Sequence, residues 1–168
     1  MSLRPDLLAS LPDFVAQRIH AELPALRECE GMVGGFDLDE LKRAGIAAPA
    51  IRVTILGIRP KGAEAGPHRR WSVNMAAFIM TKDTMGLKRD SAALTITQTL
   101  LGLIPDANWS EPGVGPAEGV EARVIVGRAA REIAFHLSAV NWVQPVTFAA
   151  LDTSTPMPIE MYVGGQPL

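Results

Sequence analysis

The chain has 168 residues, 48% hydrophobic and 20% charged, with 15 glycines and 13 prolines, which excludes a disordered chain and fits a soluble globular one. Its length sustains one core without metal or disulfide staples, so one domain is expected. A net charge of −2 excludes wholesale coating of nucleic acid but leaves room for a local basic patch.

The single cysteine, Cys29, rules out an intramolecular disulfide, and no paired Cys/His spacing marks a structural zinc site. The opening Met-Ser-Leu-Arg-Pro-Asp lacks the order of a secretory signal, and no run approaches the ~20 apolar residues that span a bilayer. A protein made in the cytosol, without membrane contact, is expected.

Ser10-Leu11-Pro12-Asp13 combines a capping hydroxyl, an early proline and an acid, and predicts a helix from there to about Glu22. Leu11, Val15 and Ile19 give it an apolar stripe, and Pro24 ends it. Leu23 to Phe36 reads as a glycine-containing connector with some extended chain around Met32-Val33. Asp37-Leu38-Asp39-Glu40 resembles a capping box for a short helix, Leu38 to Ala44, closed by Gly45 in the left-handed conformation.

Alternation of Ile51, Val53 and Ile55 with Arg52 and Thr54 predicts a strand over Ala50 to Ile58. After a loop to about His68, a second strand runs from Arg69 to Lys82 with Trp71, Val73, Met75, Ala77 and Ile79 on one face. Its other face turns apolar at Ala76, Phe78 and Met80, so that half is expected to be covered on both sides. The two strands form an antiparallel pair with a long tip.

Thr84 to Lys88 reads as a turn, and Asp90 or Ser91 as the cap of a core helix to about Leu103, with Ala93, Ile96, Leu100 and Leu103 on one side. Pro105 to Gly119 is a loop carrying Trp109. A strand from Glu121 to Val126, an interruption at Gly127 to Arg131 and a long strand from Ile133 to Ala150 follow. Pro145 lacks an amide hydrogen and places that last strand at an edge or a bulge. Asp152 to Leu168 reads as a loose tail or a docking arm. The fold class is α+β, an antiparallel or mixed sheet flanked by helices, with residues 1–150 as one domain and 151–168 as a C-terminal extension.

No reactive motif stands out. Gly113-Val114-Gly115 to Gly119 precedes a strand instead of opening a helix, so it is not a phosphate loop. His20, His68 and His136 are scattered, and Glu28 and Glu30 beside Cys29 disfavour its thiolate. The acids Glu28, Glu30, Asp37, Asp39 and Glu40 read as solvated groups at element starts, not a metal site. Arg59, Lys61, His68, Arg69 and Arg70 gather at the first hairpin tip. Such a tip suits an acidic protein surface or passing phosphates, or is simply a solvated hairpin end.

Phe36 to Arg43, leading through Ala48-Pro49-Ala50 into a strand, resembles the middle of Mu-like phage tail terminator proteins. So do the Trp71 to Ile79 strand followed by the Asp90 to Leu103 helix, and the closing Ser138 to Phe148. Pro145 and the C-terminal extension depart from the family pattern. The resemblance implies a non-enzymatic structural protein, without cofactor or metal, that forms a hexameric ring on the head-proximal end of a tail tube. It implies contacts with the tube, sheath and neck proteins and transient passage of DNA through the ring, in the host cytoplasm during assembly and then in a virion tail or tail-like particle.

On that reading the tip residues Arg59, Lys61, Arg69 and Arg70 are the first choice for a protein contact, followed by Arg52 and the turn with Arg128 and Arg131. Glu28, Glu30, Asp37 and Asp39 are its acidic counterparts. The alternatives are a monomeric ligand-binding or adaptor domain and a small hydrolase with a dispersed site.

Overall fold

The apolar stripe of the first helix faces one sheet, and the rest of the architecture follows from what that sheet shields. A computed structural model describes residues 4–34, 37, 45–62, 68–125, 135–150, 162–163 and 166–167. In chain order these form α1 (Leu7–Glu22), β1 (Glu28–Met32), β2 (Ala50–Pro60), β3 (His68–Thr81), α2 (Arg89–Leu103), β4 (Glu118–Val124), β5 (His136–Ala149), β6 (Tyr162–Val163) and β7 (Gln166–Pro167). The fold is α+β: a five-stranded mixed sheet in the order β1-β2-β3-β5-β4, with β6 and β7 paired in a separate small sheet. Only β1 and β2 run parallel.

Both helices pack on one face. Leu11, Val15 and Ile19 of α1 and Ile96 and Leu100 of α2 close over Ile51, Val53, Met75, Ile79, Val140 and Trp142. The other face of the sheet carries a smaller cluster, with Ala76, Phe78 and Met80 of β3 beside Leu137 and Ala139 of β5. The half of β3 that turns apolar on both faces is thus buried on both faces, as its composition predicts.

Several boundaries differ from the sequence reading. Helix α1 begins at Leu7, not at Ser10: Asp6 is its N-cap, and the Ser10 hydroxyl donates to the Asp6 carboxylate over 2.8 Å. Pro12 therefore lies inside the helix. The expected connector contains β1, whose glycine admits the helix. A Cβ on Gly31 would lie 2.7 Å from the Asp13 backbone nitrogen, and the Gly31 amide donates to Asp13 Oδ1 over 3.2 Å. Helix α2 starts at Arg89 behind Lys88, with the Asp83 carboxylate accepting from the Arg89 amide at 2.9 Å. Strand β4 starts earlier than expected, at Glu118. The short helix expected at 38–44 and the interruption at 127–131 lie outside the described residues; Gly45 does adopt a left-handed φ of 62°.

Pro145 is not on an edge strand: β5 lies between β3 and β4. Strand β4 pairs with β5 only as far as Val143, and beyond it the loop after α2 runs alongside. There the Gly115 amide donates to the Pro145 carbonyl (2.8 Å) and the Thr147 amide to the Gly113 carbonyl (2.7 Å). Since a residue's N and O point to the same side of a strand, the missing Pro145 donor faces this irregular loop and not the β3 ladder.

Gln144 holds that loop. Its fully buried amide oxygen accepts from the indole N–H groups of Trp109 (2.7 Å) and Trp142 (2.9 Å), and its nitrogen donates to the carbonyls of Ala107 (3.0 Å) and Gly115 (2.5 Å). Both lone pairs and both donors are used. Trp109, in a loop by sequence, is consequently a core residue. Gln144→Leu strands two buried indoles and the Gly115 carbonyl, while the Ala107 carbonyl still accepts from the Ala117 amide at 2.9 Å, at about 1–3 kcal/mol for each group left without a partner. A loss of at least about 3 kcal/mol is expected, read in a thermal melt as a fall of roughly 6–12 °C.

Candidate functional site

Strand β1 pairs with β2 only from Ala50 to Thr54. The remainder of β2, with the start of β3, forms an arm whose outer edge has no neighbour among the described residues. A register shift between Ile55 and Gly57 makes Leu56 the bulged residue and puts Ile58 opposite Val73; Leu56 and Ile58 are 54% and 45% exposed. The break in alternation, Ile55-Leu56-Gly57-Ile58, is the sequence signal of this bulge. Towards the tip of the arm, Trp71, opposite Pro60, stacks on Phe148 at 5.9 Å with planes 9° apart, joining the arm to β5.

The basic tip gathers as the sequence indicates, with distinct roles for its members. Arg59 lies opposite Ser72 and Arg70 opposite Thr147, on one face; Arg69 lies opposite Phe148, on the other. Arg59, His68, Arg69 and Arg70 are exposed. Lys61 is engaged: its ammonium lies 2.6 Å from both carboxylate oxygens of Glu118, tying the arm to the start of β4. Arg128, Arg131 and Asp39 lie outside the described residues.

Arg52 is a correction. It is 92% buried on the sheet face away from the helices, where its guanidinium pairs with Glu28 and lies 3.7 Å from Glu30. The Ala47 amide also donates to Glu28, over 3.0 Å. Arg52 and Glu28 therefore serve one another across the β1–β2 pair, and Arg52 is not an open partner for a neighbouring molecule, while the Glu30 side chain is 66% exposed. The residues are eager to pair because an isolated charge at this depth is costly. Sequence separation hid them: the pair exists only because β1 lies parallel to β2.

Cys29 faces α1, and its thiol donates to the Ala16 carbonyl at 3.2 Å. Burial pushes the thiol up to about 11, with Glu30 adding to the rise and Arg52 opposing it; enclosure outweighs the flanking acids named from sequence. The histidines stay apart: His20 ends α1, His68 is at the arm, and the His136 Nδ1 lies 2.9 Å from Asp90 Oδ1. Among the described residues no group of three or more His, Cys, Asp or Glu is placed to hold a metal ion.

A second feature escaped sequence reading altogether. Between α2 and β4 lies a notch of about 190 Å³, lined by Ala93, Leu94 and Thr97 on the helix and by Ala122, Val124 and Ser138 on the sheet, with His136 at its end. The Ser138 hydroxyl is buried and has no hydrogen-bond partner among the described residues, His136 included. The proton relay that activates a serine is thus not assembled around it. Leu94 and Val124 are 66% and 58% exposed, so the notch opens between two apolar lips.

No family model matches the chain, and no curated protein matches it.

The Arg52–Glu28 pair has a pH signature. The Ala47 amide and the Arg52 guanidinium hold the Glu28 carboxyl below its ordinary value of 4.5. A depressed carboxyl contributes stability that is complete above its unfolded value and is lost as pH falls through the lower folded one. Glu28→Gln should lower stability at neutral pH by about 1.5–3 kcal/mol, the worth of a charged hydrogen bond. It should also flatten the acid limb of a plot of stability against pH, measured by denaturant titration down to about pH 3.

Proposed function

We propose that this protein is a structural tail terminator, a subunit of a hexameric ring that caps the head-proximal end of a phage tail tube or tail-like tube and offers a surface for head joining. The observation that carries the reading is the β2–β3 arm, which extends beyond β1 and presents exposed Leu56 and Ile58 next to Arg59, Arg69 and Arg70. An arm that combines apolar and cationic groups suits adhesion to another protein, with charge guiding the encounter and apolar area holding it. A cyclic ring needs two different patches per subunit. The arm provides one surface, on the β2 side of the sheet, and the outer edge of β4 lies on the opposite side.

The α+β fold with both helices on one face agrees with the layered subunit that the resemblance implies. No helix of the described residues is long and apolar enough to cross a membrane, consistent with assembly away from a bilayer. On this reading the protein performs no chemistry, needs no cofactor, and allows DNA to pass through the ring it builds. The tube protein is its first partner, followed by sheath and neck proteins.

A second reading, a monomeric ligand-binding or adaptor domain, is favoured by the notch and its unpartnered Ser138 hydroxyl. Tube capping separates the two. Polymerising a tail-tube protein from the same genome, with and without this chain, should give short, blunt-ended tubes in its presence under electron microscopy. Arg59→Glu combined with Arg69→Glu should restore long tubes while leaving the melting temperature unchanged. Tubes of equal length with the wild-type chain and without it would contradict the reading; equal capping by the wild type and the double variant would remove the arm from it.

A further inference from the structure

The two outer strands of the sheet end differently. The backbone of β1 is met by α1 through the Asp13 contact with the Gly31 amide. Strand β4 has no outer neighbour among the described residues. The Ile125 amide donates to the Leu137 carbonyl at 3.0 Å, so the alternation of an antiparallel ladder turns the N–H and C=O groups of Ala122 and Val124 away from β5. The side chains of these two residues lie opposite Val140 and Ser138, on the face of α2, and form the sheet side of the notch. An open strand edge flanked by a helix, with an apolar slot between them, is the geometry that takes an extended peptide by strand addition.

The C-terminal extension has the matching pattern. Met157, Ile159 and Met161 recur at every second position, while Pro156, Pro158 and Glu160 share the other parity. A strand that directs its odd amides inward loses no ladder bond to either proline, because both missing donors fall on the outer edge. In antiparallel addition, residues that exchange bonds across the ladder share a face. The odd apolar side chains then lie beside Ala122 and Val124, over the notch. With Ile159 opposite Val124 and Met161 opposite Ala122, Glu160 falls opposite Arg123, whose side chain is 66% exposed.

Geometry also says whose extension this is. Strand β5 ends at Ala149, and roughly 36 Å of strand separates that residue from Ser138, the partner of Val124. To enter antiparallel, the same chain would have to cover that length and reverse direction twice between Ala149 and Ile159, yet those ten steps fully stretched reach only about 33–36 Å, which leaves nothing for the reversals. A shorter path along its own β4 would be parallel and would put the apolar residues on the wrong face. In the single chain, moreover, Tyr162–Val163 pairs with Gln166–Pro167 and not with β4.

We propose that the open edge of β4 and the notch beside α2 receive residues 157–161 of a second copy of this chain, added as an antiparallel strand. The contact rests on the reading that copies of the protein assemble, and it supplies the link between neighbours. The test uses full-length chains. Val124→Cys and Ile159→Cys proteins, prepared separately and mixed under mild oxidation, should give a covalent dimer of one chain each; Cys29, enclosed against α1, is a background thiol in both.

Pro158→Cys mixed with Val124→Cys is the register control, expected to give at least about tenfold less product because its side chain points to the opposite face. Ile159→Asp and Val124→Asp, each with an unchanged melting temperature, should each reduce the assembled fraction in light scattering. A yield no higher than the control, or a bond formed only within one chain carrying both cysteines, would overturn the proposal. If the protein still forms rings in that case, the ring reading survives and only this contact fails; a chain that stays single at every concentration sinks both.

Discussion

Gln144 sits in the core with every hydrogen-bonding group used, and much of the architecture depends on that satisfaction. Its two acceptor positions collect the Trp109 and Trp142 indoles and its two donors the Ala107 and Gly115 carbonyls. This fixes the loop after α2 against the end of β5, where a proline has removed an amide from the strand. The loop in turn determines where β4 can begin, so β4 covers only part of β5. An apolar replacement would fill the space but leave both indoles and the Gly115 carbonyl without partners. Polar satisfaction, more than apolar area, therefore specifies this corner of the fold.

The asymmetry of the sheet carries the functional argument. Edge strands invite pairing, and proteins that stay single blunt them. Here α1 meets the backbone of β1 at Gly31, and Arg52 pairs with Glu28 across β1 and β2, which occupies part of that side. The opposite edge, among the described residues, has open backbone groups at Ala122 and Val124 and exposed apolar lips. The hairpin arm adds a third surface, with cations on both faces and with Leu56 and Ile58 exposed. A partly covered edge on one side and an edge without a described neighbour on the other is the asymmetry that the proposed ring contact uses.

Much of the fold was legible because burial imposes periods. The spacing of Leu11, Val15 and Ile19 marked α1, and the alternation through β2, β3 and β5 marked three strands and their faces. Strand β1 was not legible: in Glu-Cys-Glu-Gly-Met the inward positions are Cys29 and Gly31, too small to show as an apolar alternation. The start of α1 was misplaced because Ser10 and Pro12 imitate a helix entrance that Asp6 provides. Gln144 read as an ordinary polar strand residue, since nothing local tells that two tryptophans and a loop converge on it.

The candidate surfaces divide the same way. The basic tip could be seen as a cluster of charges close in sequence. The fate of Arg52 could not, since its partners lie across a parallel pair that no local pattern announces, and the notch needs α2 and β4 brought together by the whole sheet. The central claim is that this protein works by assembling with its own copies. Native mass spectrometry of the full-length chain across a range of concentrations tests it most directly. The account predicts one discrete closed multiple, six chains, with few intermediates; a single-chain mass at every concentration would contradict it.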